Sequence, residues 1–160
     1  MKRLITAALM MGFTGCATVT AGETVNELVI SPEFSAGQVE AIEVAAEAWN
    51  VAAPGVNIIT RVGEPANVTV VRGPGEAGED CGGCTVVGKA NRAGIRIWVD
   101  AIGSAEVFSG TVTHEISHWL GVRYHDESGA CTNAFVTECV DINEHDIFHV
   151  NKAQGLLHND

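Results

Sequence analysis

The stretch "TVTHEISHWLGVRYHD", residues 111–126, decides how this chain is read. His114 and His118 stand four apart, so on a helix they share one face about one turn apart. Imidazoles placed that way can hold one zinc ion at ~2.0–2.1 Å each. Glu115 follows the first histidine by one residue, which sets it beside the ligand face rather than on it. From there a carboxylate reaches a water on the metal without binding the metal itself, which is the mechanical reason for H-E-x-x-H. The flanking letters agree with a helix. Val112, Ile116, Trp119 and Leu120 line an apolar side, and Gly121 ends it. A catalytic zinc also needs a third protein ligand and an open position. Glycine tolerates φ > 0, so Gly121 lets the chain turn sharply beneath the helix and bring the next few residues up to the metal.

H-E-x-x-H-x-x-G with a further histidine beyond it resembles the zinc signature of the metzincin metalloproteases. Over most of residues 25–158 the chain resembles their matrixin branch, through "AIEVAAEAWNVAAPGVNI", "TVVGKANRAGIRIWVD" and "INEHDIFHVNKAQG", which occur in that family's order. The resemblance implies an α+β fold: a single domain with a twisted, mostly parallel sheet of about five strands, an antiparallel edge strand and packed helices. It also implies a zinc-dependent endopeptidase. His114, His118 and His125 would hold zinc, and Glu115 would activate the zinc-bound water. The substrate would be an extended peptide or protein segment paired with the edge strand near Val86 to Ala90.

The chain departs from the family pattern at two places. The third ligand belongs three residues after the glycine, where this chain has Tyr124; the histidine comes one later, at His125. Imidazole is a common zinc ligand and phenolate a rare one, so His125 is the expected third ligand, with Asp126 next. The family's methionine turn has no methionine here, and "NAFVTE" at 133–138 puts Val136 in its place. Two alternatives remain open. One is a thermolysin-like arrangement with Glu144 as third ligand; the other is a non-catalytic exported protein that keeps the fold and a structural zinc. His145 and His149 repeat the i, i+4 spacing without a glutamate in the matching place, and read as solvated or capping residues. The acidic "EAGED" at 76–80 lacks an ordered calcium-ligand pattern and reads as a solvated loop.

Elsewhere the punctuation is clear. "NELVIS" reads as a strand. The helix after it opens on a Ser35–Gln38 capping box, buries Val39, Ile42, Ala46 and Trp49, and stops at Pro54-Gly55. "VNIITRV", "NVTVVRG", "CTVVGKA" and "GIRIWVD" read as four strands, with a glycine-rich acidic loop at 73–83. The last helix has Asp141 or Asn143 as its cap.

With 160 residues the chain suits one domain, and it reads as a monomer. Its formal net charge of −11, from 9 basic and 20 acidic residues with no Lys/Arg cluster, argues against a nucleic-acid partner. "MKR" followed by "LITAALMMGFTG" reads as an export signal too short to span a bilayer. "FTGC" resembles the bacterial lipoprotein signal. That gives a signal over 1–15, a lipid anchor at Cys16, a tether over 16–24 and the protease domain over 25–160. Cleavage after Ala21 is the rival; either route exports the chain, as a surface or outer-membrane lipoprotein or a periplasmic or secreted protein. Removing Cys16 leaves Cys81, Cys84, Cys131 and Cys139, an even count that suggests disulfides, with Cys131–Cys139 as the favoured local pair.

Overall fold

A computed structural model describes residues 25–78, 84–123 and 142–157. β1 (Asn26–Ile30) leads into α1 (Ala36–Ala52), and β2 (Ile58–Val62) returns parallel to β1 on its outer side. β3 (Val68–Val71) then lies parallel to β1 on the inner side, and β7 (Gly94–Trp98) lies parallel to β3. β6 (Gly88–Asn91) turns back antiparallel to β7, so the five-stranded sheet runs β2-β1-β3-β7-β6 with β6 as one edge. α2 (Ala105–Trp119) and α3 (Glu144–Gln154) follow the sheet in the chain. This is the mostly parallel sheet with an antiparallel edge, packed with helices, that the sequence implied. A parallel neighbour requires a crossover, and α1 supplies it between β1 and β2.

The helices begin and end where their capping chemistry dictates. Ser35 and Gln38 form the reciprocal capping box of α1, and Ser104 accepts from Val107 N–H at the start of α2. Asn143, rather than Asp141, caps α3. It accepts from the His145 and Asp146 N–H groups while the Asp146 carboxylate accepts from the Asn143 N–H. Gly155 ends α3 in the left-handed region at φ 70°.

The apolar stripes close on one core. Ile42, Ala45, Ala46 and Trp49 of α1 meet Phe108, Val112, Ile116 and Trp119 of α2 over Leu28, Ile30, Val68, Ile95 and Ile97 of the sheet. Val39 is only partly buried, and Ala45 takes a place in the stripe that the sequence reading did not give it. The Trp49 indole N–H donates to the Thr113 carbonyl at 3.0 Å, which fixes α2 against α1 one residue before His114. α3 closes the far end. Gln154 donates to the Leu120 carbonyl, Arg92 donates to the Ala153 carbonyl, and Leu156 packs against Gly55.

Two readings change. The run 84–90 is two strands, because the chain changes partner at Val87. β5 (Thr85–Val86) pairs antiparallel with a short β4 (Glu76–Ala77), while β6 pairs with β7. Residues 76–77 are therefore a strand rather than loop, and Glu76 is ion-paired with Lys89 instead of standing open to a calcium ion. Cys84 is disulfide-bonded; Cys16, Cys81, Cys131 and Cys139 lie outside the described residues, and so does the expected Cys131–Cys139 pair. The export segment and tether, residues 1–24, lie outside them too. No described helix is long and apolar enough to cross a membrane.

Candidate metal centre

α2 carries the site because its buried face and its ligand face are adjacent. Val112 and Ile116 are fully buried in the core, and His114, Glu115 and His118 follow on the side that turns toward β6 and the helix end. His114 is 3% exposed and His118 half-buried. Their rings meet nearly at right angles, 87°, with the two Nε2 atoms 3.0 Å apart. Two nitrogens of a tetrahedral zinc stand about 3.3 Å apart by its bond lengths, so the pair is spaced for a shared cation.

The turn after α2 sets the chemistry of His118. Gly121 N–H donates to the His118 carbonyl at 2.9 Å and Val122 N–H to the Ser117 carbonyl at 3.1 Å, the paired bonds of a Schellman ending. Gly121 sits at φ +107°, and a Cβ there would also run into the Arg92 guanidinium. The positive φ is what calls for glycine there. The turn carries the Val122 carbonyl back to 2.8 Å from His118 Nδ1. A carbonyl only accepts, so the proton resides on Nδ1 and the Nε2 lone pair faces His114. A backbone acceptor behind a ligand imidazole is the usual means of fixing its tautomer and orientation.

Glu115 is 4% exposed, and its Oε2 is buried without a hydrogen-bond partner. Burial pushes its carboxyl up to about 8. A buried oxygen with nothing to bond is costly unless a function requires it. Gly88 of β6 makes the space: a Cβ there would lie 2.6 Å from Glu115 Oε1, 2.7 Å from its Cγ and 2.8 Å from Thr111 Cγ2. Sequence reasoning passed over Gly88. The signal was a glycine inside a strand-like run, which marks close approach by another group.

His114, Glu115 and His118 are thus brought together as expected. Tyr124, His125, Asp126 and Val136 lie outside the described residues. Glu144 corrects one alternative. It is exposed in the first turn of α3, and no group of three or more His, Cys, Asp or Glu side chains able to hold a metal forms among the described residues, so Glu144 does not join the pair. Its position follows from the Asn143 cap, which starts α3 there and leaves Glu144 facing solvent. Trp119, 7% exposed, is core packing. The residues fit a zinc ion: two imidazoles converge, one with its tautomer fixed, beside an unpartnered carboxylate oxygen.

No protein-family model matches the chain, and no curated protein matches it. Among solved structures it is similar to archaemetzincin from Methanopyrus kandleri, with a TM-score of 0.60 and 9% identity, over 86% of this chain and 99% of that one. At that identity the likeness concerns the fold. The matrixin branch finds no support in these comparisons and rests on the sequence stretches alone. The architecture built around His114, Glu115 and His118 is that of an archaemetzincin-like fold.

Proposed function

We propose that the protein is a zinc-dependent endopeptidase. The observation that carries this reading is the buried Glu115 carboxylate, one oxygen unpartnered, beside two imidazoles whose Nε2 atoms lie 3.0 Å apart. His114 and His118 would hold zinc through Nε2, with His125 as third ligand and Asp126 as its rival. Zinc bound there would lower the pKa of a water to about 7 and polarise the scissile carbonyl. Glu115 Oε2 takes the proton of the attacking water and delivers it to the leaving amine. Burial raises its proton affinity in the metal-free pocket, and a cation held beside it would favour the ionised form that accepts the proton. The peptide would lie along β6, the sheet edge next to Glu115, as an added strand. Of the expected Val86–Ala90 stretch, Gly88–Ala90 lies in β6, the edge strand of the five-stranded sheet, while Val86 pairs with β4.

The test is zinc content and cleavage of a mixed peptide library in one preparation. Cleavage is expected to stop on chelation and to return with zinc. Stoichiometric zinc with no cleavage would make the protein the non-catalytic alternative. Zinc should be lost in His125→Ala and retained in Asp126→Ala; the reverse would move the third ligand to Asp126.

Gly88→Ala gives a second check. The added methyl displaces the Glu115 carboxylate, and misplacement on the ångström scale costs about 10²-fold in rate. Turnover is expected to fall by about that factor with zinc content unchanged. Unaltered turnover would show that Gly88 does not set the carboxylate's position.

A further inference from the structure

We propose that His145 and His149 form a second metal site, a two-imidazole clip across one turn of α3 for a borderline divalent cation such as zinc, nickel or copper(II). The geometry repeats that of the first pair. The two Nε2 atoms lie 3.0 Å apart, and the rings are inclined by 69° with centroids at 4.3 Å. An i, i+4 pair on a formed helix presents both nitrogens to one point at no conformational cost beyond the two side chains. α3 is such a helix, closed by the Asn143 capping box at one end and by Gly155 at the other.

The site is separate from the first. His145 and His149 lie on another helix, and no group of three or more metal-binding side chains among the described residues joins the two pairs. His145 is exposed and His149 half-buried, so solvent can supply the remaining ligands of the cation. Among the described residues the donors at this point are two imidazole nitrogens, which favour zinc, nickel and copper(II) over calcium and magnesium. Lys152, whose ammonium lies 6.0 Å from the Phe148 ring centroid, adds a positive charge near His149 and opposes cations held by charge alone. Glu144 and Asp146, in the first turn, supply negative charge at the opposite end. The consequence is structural. The last residues of α3 hold Leu120 through Gln154 and Arg92 through the Ala153 carbonyl, so a clip on α3 stiffens the element that secures the turn behind His118.

The test starts from protein carrying one equivalent of zinc, titrated with nickel chloride by calorimetry. A second equivalent is expected. His145→Ala and His149→Ala should each weaken it about tenfold or more, since each removes one imidazole of the pair. Nickel should raise the Tm of the parent protein and not that of either variant, and calcium chloride should do neither. Absence of a second equivalent, a second equivalent unchanged in both variants, or equal uptake of calcium would each overturn the proposal. The first equivalent of zinc and peptide cleavage are read in the same preparations and are expected to be unchanged in His145→Ala. Failure of the peptidase reading would therefore show separately.

Discussion

Peptide turnover is expected to fall by about 10²–10⁴-fold in Glu115→Gln, the range of general acid–base catalysis, with zinc retained. Glutamine keeps the volume of the side chain and therefore its fit beneath Gly88, where even a methyl group has no room. The amide cannot take a proton from water or return one to an amine. Both imidazoles and the Val122 carbonyl that fixes His118 remain, so metal affinity should not follow activity down. Zinc content and kcat measured on one preparation decide the matter. A variant that loses both equally would make Glu115 a metal ligand, and one that keeps its activity would remove it from the reaction.

The same substitution should stabilise the metal-free protein in a pH-dependent way. Glu115 has its carboxyl raised from 4.5 to about 8 by burial. Between those values the folded state binds the proton that the unfolded state has released, so stability falls as pH rises through the window. Below pH 4.5 both states are protonated and the penalty vanishes. At ~1.36 kcal/mol per pK unit the penalty is on the order of 3 kcal/mol at pH 7. Glutamine does not titrate, and whatever its amide costs in the pocket is independent of pH. The gap between Glu115→Gln and the parent in urea unfolding with a chelator present should therefore open by about 3 kcal/mol from pH 4.5 to 7. A constant gap would mean that Glu115 is not buried as described. Zinc at the neighbouring histidines should shrink the effect, because a cation favours the ionised carboxylate.

These two expectations join the fold to the proposed reaction. The core face of α2 takes Glu115 out of water, and Gly88 leaves the cavity that receives it. Without that burial the carboxylate would be an ordinary surface acid, a weak base toward the proton of an attacking water near neutral pH.

Local chemistry made much of this legible in the sequence. The H-E-x-x-H spacing placed His114, Glu115 and His118 because helical periodicity acts over four residues. Ser35 with Gln38 marked the start of α1 because caps are satisfied within one turn, and Gly121 marked the end of α2 for the same reason. Alternating apolar runs gave the strands and hence the sheet. The contacts that tune the site were not legible, because they join residues far apart in the chain. Trp49 reaches Thr113, Arg92 fills the space beneath Gly121, and Gly88 makes way for Glu115. The split of residues 84–90 at Val87 was hidden for the same reason: which strand a backbone pairs with depends on where other strands lie, and no local propensity encodes it. The sequence by itself determined the chemistry of the half-site, two imidazoles and a carboxylate at fixed helical spacing. Only the tertiary structure decided the state of those groups: a carboxylate stripped of water, an imidazole held in one tautomer by a carbonyl, and β6, the edge strand among the described residues, beside them.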